Sequence, residues 1–191
     1  MRHHNISLLA LAFGAVISAG CASENPVLTR LSSAASEGTP LYGHQDDLMY
    51  GHTWNAGKDA DTTLTRSDVL DVTGQYPSIL GLDMGGIELG HKCNLDGNNF
   101  ELQRLAAIKH YQRGGIVTLS WHLRNPLTGG DAWDVSSDKV VESVLPGGSK
   151  HEMFLGWLDK AADWIESLRT QDGKPIPVLW RPWHEHTGSR F

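Results

Sequence analysis

Pro175-Ile176-Pro177-Val178-Leu179-Trp180, running straight into Arg181-Pro182-Trp183-His184-Glu185-His186-Thr187-Gly188, is the stretch whose reading decides the fold. Ile176 to Trp180 is short, apolar and partly β-branched, the composition of a strand buried in a parallel sheet. It opens at once into titratable side chains: Arg181, His184, Glu185 and His186. In α/β barrels chemistry sits at the C-terminal ends of the strands, because the loops there project from a rigid frame. Glu185 is therefore the leading catalytic candidate. His184 and His186 would share one face of an extended strand, as two metal ligands do. No third ligand stands at a suggestive spacing, so neither a metal nor another cofactor is expected.

Working outward from this stretch, three earlier apolar runs end in the same way. Thr39 to Gly43 turns polar at His44-Gln45-Asp46-Asp47, Pro77 to Leu82 closes on Asp83, and Ile116 to Trp121 closes on His122. Helical patterns fall between them. Ser67 caps a short helix ahead of Gly74, and Asn98 or Asn99 caps one that runs to about Arg113 and stops at Gly114-Gly115. His151 to Arg169 carries an apolar stripe of Phe154, Leu155, Leu158, Ala161, Ala162, Ile165 and Leu168, bordered by Trp157 and Trp164, both read as core. Alternating strands and helices specify α/β architecture with a parallel sheet and right-handed crossovers. Four βα units fill the chain, whereas a closed (β/α)8 barrel takes about 250 residues. The expected fold is thus the N-terminal portion of such a barrel. The segment 123–148, rich in Gly and Pro and containing Trp133, is long enough for a loop to be expected to carry function.

Composition narrows the partners. The 191 residues carry 40% hydrophobic and 20% charged side chains and a formal charge of −6, which suits one soluble domain and argues against nucleic acid or another polyanion as ligand. Seven tryptophans are present, and the flat indole face suits sugar rings as well as cores. Residues 1–21 read as a secretory signal: Arg2, His3 and His4, then an apolar stretch from Ile6 to Ile17, then Ser18-Ala19-Gly20-Cys21. The small residues before Cys21 resemble a lipoprotein lipobox, which would make Cys21 the lipidated N-terminus and attach the protein to a membrane at the outer membrane or cell surface. Ser18 stands where that pattern prefers Leu, which leaves ordinary cleavage and a periplasmic or secreted protein as the alternative. Residues 22–38 read as a tether, in which Leu28 to Ala35 could dock as a short helix, and 39–191 as the partial catalytic domain. Cys93 is the only other cysteine, so no intramolecular disulfide framework is expected.

Gly43-His44-Gln45-Asp46, Gly81-Leu82-Asp83, Leu119-Ser120-Trp121-His122 and Arg181 to Gly188, in this order, resemble the strand-end motifs of glycoside hydrolase family 26, mainly endo-β-1,4-mannanases on (β/α)8 barrels. The resemblance implies a retaining double displacement with Glu185 as general acid/base. It places the nucleophile on a seventh strand, beyond Phe191. It implies that His184 binds sugar beside the scissile bond, that His122 and Trp133 bind on the glycone side, and that Arg181 and Asp83 orient the site. Trp180 and Trp183 are expected to desolvate Glu185. The implied partner is a polysaccharide: mannan, galactomannan or glucomannan, with β-1,3-xylan or mixed-linkage glucan, or a binding protein without catalysis, as alternatives. Many members carry Trp five residues after the acid/base, where this chain has Arg190.

Overall fold

The computed structural model describes residues 25–185. Four strands, β1 (Gly43–Gln45), β2 (Ile79–Asp83), β3 (Ile116–Trp121) and β4 (Val178–Pro182), form one sheet in sequence order. All three pairings are parallel. This is the N-terminal part of a (β/α)8 barrel. Leu80 and Leu82 of β2 and Val117 and Leu119 of β3 are fully buried. At about 1.5–3 kcal/mol for each buried aliphatic side chain, they anchor the sheet. β1 and β4 lie at its edges, and Trp180 on β4 is 40% exposed.

The helices begin and end where local chemistry predicts. α1 spans Pro26–Ser36, α2 Asp68–Thr73, α3 Phe100–Gln112, α4 Val140–Val144 and α5 His151–Glu166. Ser67 Oγ accepts from the Leu70 amide at 3.0 Å and Gly74 closes α2 at φ +76°. Asn99 caps α3 through the amides of Glu101 and Leu102. That helix turns Phe100, Gln103, Ala106, Ala107 and His110 into the core, at steps of three and four residues.

Several expectations shift. β1 starts at Gly43 rather than Thr39, and β4 starts two residues later than Ile176 and takes in Arg181 and Pro182. Ile176 is instead buried ahead of the strand, its amide bonded to the Leu168 carbonyl at 2.8 Å. The inward face of α5 is centred on Trp157, Ala161 and Trp164, while Leu155 of the expected stripe is 40% exposed. Trp164 reaches α3, where its Nε1 donates to the Phe100 carbonyl at 3.4 Å and its ring meets that of Phe100 edge-on. Both indoles are core, as expected, and Phe154, Leu158 and Ile165 of the stripe pack against the same core. The long loop after β3 contains α4, and a single 3-10 turn, Ile87–Leu89, follows β2. Most of the residues read as a tether form α1. Asn25 Oδ1 accepts from the Val27 amide, Pro26 occupies the first turn, Val27 is buried, and Arg30 donates to the Gly114 carbonyl.

Candidate active site

A cavity of about 470 Å³ opens at the C-terminal ends of the four strands, lined among others by Asp46, Tyr50, Asp83, Asp96, His122, Trp133, Arg181, His184 and Glu185. Register brings its floor together. Asp83 of β2 is the partner of Ser120 on β3, and Ser120 is the partner of Arg181 on β4, so the three stand in one row across the sheet.

Asp83 is the hub of that floor. Only 2% exposed, it accepts from Ser120 Oγ at 2.6 Å, His122 Nδ1 at 2.8 Å and the Gly85 amide at 2.7 Å. With Nδ1–H donated to Asp83, Nε2 of a neutral His122 ring is an acceptor. The His122 ring lies between two others, stacked on Trp133 with centroids 5.5 Å apart and edge-on to His184 at 4.3 Å. Arg181 is held through Nε, which donates to Thr118 Oγ1 at 2.9 Å, while that hydroxyl donates to the Leu179 carbonyl. All five candidates carried by strand ends, Asp83, His122, Arg181, His184 and Glu185, thus meet on one cavity, and Trp133 joins them from the loop after β3.

The protonation states follow from crowding. Burial, and then the carboxylates of Asp96 and Asp83, push Asp46 up to about 7. Burial and Asp83 also raise Asp96. His184 is lowered by burial and by His122, which favours its neutral form. Glu185 is exposed, and its flanking Trp180 and Trp183 are themselves 40% and 50% exposed. Trp180 stacks on Trp121 and Trp183 approaches Phe154.

The local spacing around His184 offers no third metal ligand, but the fold supplies candidates from other strands. Asp83, His122 and His184 each bring a ligand atom to within 4.8 Å of the others. The Asp83 carboxylate is committed to Ser120 and His122, however, an arrangement that orients the imidazole rather than frees an oxygen for an ion.

Two contributors escape sequence reasoning. Asp46 stands within a strand-end motif that assigns it no role. Glu88 belongs to no motif, yet it is 1% exposed and ties the site's loops together: its carboxylate accepts from the Gly86 amide, Trp121 Nε1 and the Arg124 amide at 2.9, 3.1 and 2.9 Å. These bonds flank His122 on both sides. A lone Glu in a Gly-rich loop carries no local signal of burial. Cys21, His186 and Arg190 lie outside the described residues.

Residues 38–191 match the family described as Glycosyl hydrolase family 26. The chain belongs to glycosyl hydrolase family 26. A mannan endo-1,4-beta-mannosidase of Bifidobacterium adolescentis is 32% identical over 149 residues, which cover 76% of this chain and 15% of that protein. One from Thermothelomyces thermophilus is 30% identical, over 83% of this chain and 33% of its own. A solved family 26 β-mannanase from Bacteroides ovatus superposes with a TM-score of 0.79 at 48% identity, covering 86% of this chain and 46% of that one. A modular endo-β-1,4-mannanase from Cellulomonas fimi gives 0.70 at 35% identity, over 86% and 36%. This family 26 chain therefore spans less than half the length of each of these relatives.

Proposed function

We propose that the chain is the N-terminal part of the catalytic domain of a retaining endo-β-1,4-mannanase acting on mannan, galactomannan or glucomannan, with Glu185 as general acid/base. The observation that carries this reading is the convergence of Glu185, carried at the end of β4, with His122, His184 and Trp133 on one cavity. Glu185 donates its proton to the leaving glycosidic oxygen, and in the second half-reaction takes one from water. A second carboxylate, about 5–5.5 Å away in retaining enzymes, forms the glycosyl intermediate, and the family resemblance puts it beyond Phe191. His122, held by Asp83, presents Nε2 as acceptor for a sugar hydroxyl. Trp133, 54% exposed, offers an indole face to a pyranose ring. Arg181, fixed through Thr118, supplies donors at the floor. The signal-like N-terminus supports export, with lipidation at Cys21 attaching the protein to a membrane.

Leaving-group chemistry tests the role of Glu185 in the full-length protein. A sugar alkoxide leaves badly without protonation, whereas an activated phenolate leaves unaided. Glu185→Ala should lower hydrolysis of mannan by the roughly 10²- to 10⁴-fold typical of general acid–base catalysis, and spare glycosylation by an aryl mannoside. The covalent intermediate should then accumulate, and azide should restore turnover because it needs no deprotonation. Equal loss on both substrates with an unchanged melting temperature would exclude the assignment. Binding of mannan without hydrolysis by the unmodified full-length protein would instead identify a non-catalytic binding protein.

A further inference from the structure

α1 fixes the side of the domain from which the chain runs back toward its N-terminus. The helix is seated at the edge of the sheet where the strands begin, opposite the cavity. Val27 is 6% exposed there, Arg30 donates to the Gly114 carbonyl just ahead of β3, and a second cavity of about 440 Å³ lies between Pro26, Val27 and Arg30 on one side and Tyr111, Ile116 and Thr170 on the other. Cys21 precedes Pro26 by five residues. Even fully extended, that span reaches no more than about 18 Å. A six-residue strand such as β3 is already about 20 Å long, and the loops bearing Trp133 and Glu185 stand beyond its far end. A chain leaving α1 toward Cys21 is thus confined to the pole opposite the cleft.

Charge divides along the same axis. The loops that lead from helices into strands carry Arg113, Arg169 and Lys174 against Glu37 and Asp172, the latter ion-paired with Lys174, and Arg30 of α1 adds a further positive charge. The loops that lead out of strands are acidic around the cleft, with Asp46 and Asp96 among its walls. Anionic headgroups attract basic side chains near the surface, which favours the pole where the strands begin over the cleft.

We propose that α1 is an orienting clamp: it keeps a diacylglyceryl-Cys21 anchor at the pole where the strands begin, so that an anionic bilayer meets the basic side chains there and the cleft opens away from it. This rests on the reading of Cys21 as lipidated. A polymeric substrate needs the outward orientation, because a cleft turned toward the bilayer would admit only chain ends.

The test uses the full-length lipoprotein reconstituted in phosphatidylcholine/phosphatidylglycerol vesicles. A fluorescent amino acid is placed at Gln75, exposed in the loop ahead of β2, or at Asp138, exposed in the loop after β3. Energy transfer to a headgroup-labelled lipid should be several-fold stronger from Gln75. Inserting a Gly/Ser linker of about 20 residues between Cys21 and Pro26 frees the anchor from α1 and should bring the two signals together. Transfer from Asp138 that equals or exceeds that from Gln75, or a difference that the linker leaves untouched, would overturn the proposal. Mass spectrometry showing no lipid on Cys21 would sink the lipidation reading by itself. The same two probes are then read on protein lacking residues 1–20, coupled through the Cys21 thiol to a maleimide lipid in a Cys93→Ser background, and the same comparison decides the clamp.

Discussion

Asp46→Asn should raise stability at alkaline pH and leave it nearly unchanged at acid pH. Asp46 is 1% exposed and its carboxyl is pushed up from 3.8 to about 7, by burial first and then by Asp96 and Asp83. Between those values the native state keeps a proton that the unfolded chain has released, so stability falls as pH rises through this window. At 1.36 kcal/mol per pH unit the whole loss is about 4 kcal/mol, of which about 3 kcal/mol falls between pH 5 and pH 8. Asn cannot ionise and escapes it. Asp46 also sits at φ +55°, a left-handed conformation in which Asn is well tolerated, so the backbone should survive the exchange. Urea unfolding of the full-length protein and the variant at pH 5, 6, 7 and 8 reads the difference, which should grow in favour of the variant by about 3 kcal/mol across that range. Reading a difference also removes carboxylates common to both proteins. An unchanged difference across the pH range, or a variant that loses stability relative to the parent as pH rises, would refute the reasoning.

Burial holds His110 down at about 4 against an ordinary 6.5, so its contribution has the opposite sign: it is intact above about pH 6.5 and lost as pH falls toward 4, by about 3 kcal/mol in all. In His110→Gln this acid-side loss should vanish from the urea midpoints, whatever the variant's stability at pH 7. Gly115→Ala would place a Cβ 2.1 Å from His110 Nε2, an overpacking that should cost about 1–3 kcal/mol. Combined with His110→Ala, most of that cost should disappear, and strict additivity in the double-mutant cycle would show that the two positions do not touch.

What the sequence by itself determined is what neighbours along the chain decide. Ser67 and Asn99 are caps because a short polar side chain reaches an amide two or three residues on, and Gly74 and Gly114 end helices because they take positive φ cheaply. A strand running into Asp83, His122 or Glu185 likewise shows from composition alone which end of the sheet carries titratable side chains, and the order of those ends carried the resemblance to the family. Contacts made across the sheet were another matter. Asp83 meets Ser120 and His122 only because register aligns residues 37 and 39 positions away. Glu88 reads as a loop acid until β3 brings Trp121 and Arg124 onto it. The rise at Asp46 depends first on burial and then on Asp96 and Asp83, which arrive on a different βα unit. Trp157 and Trp164 were legible as core, but that the buried face of α5 would centre on them rather than on Leu155 was not, since that is settled by what the opposing surface can accept. Capping, turn and periodicity signals act over a few residues and survive in one dimension. Burial, register and electrostatic coupling exist only between surfaces, and tertiary structure alone decides which surfaces meet.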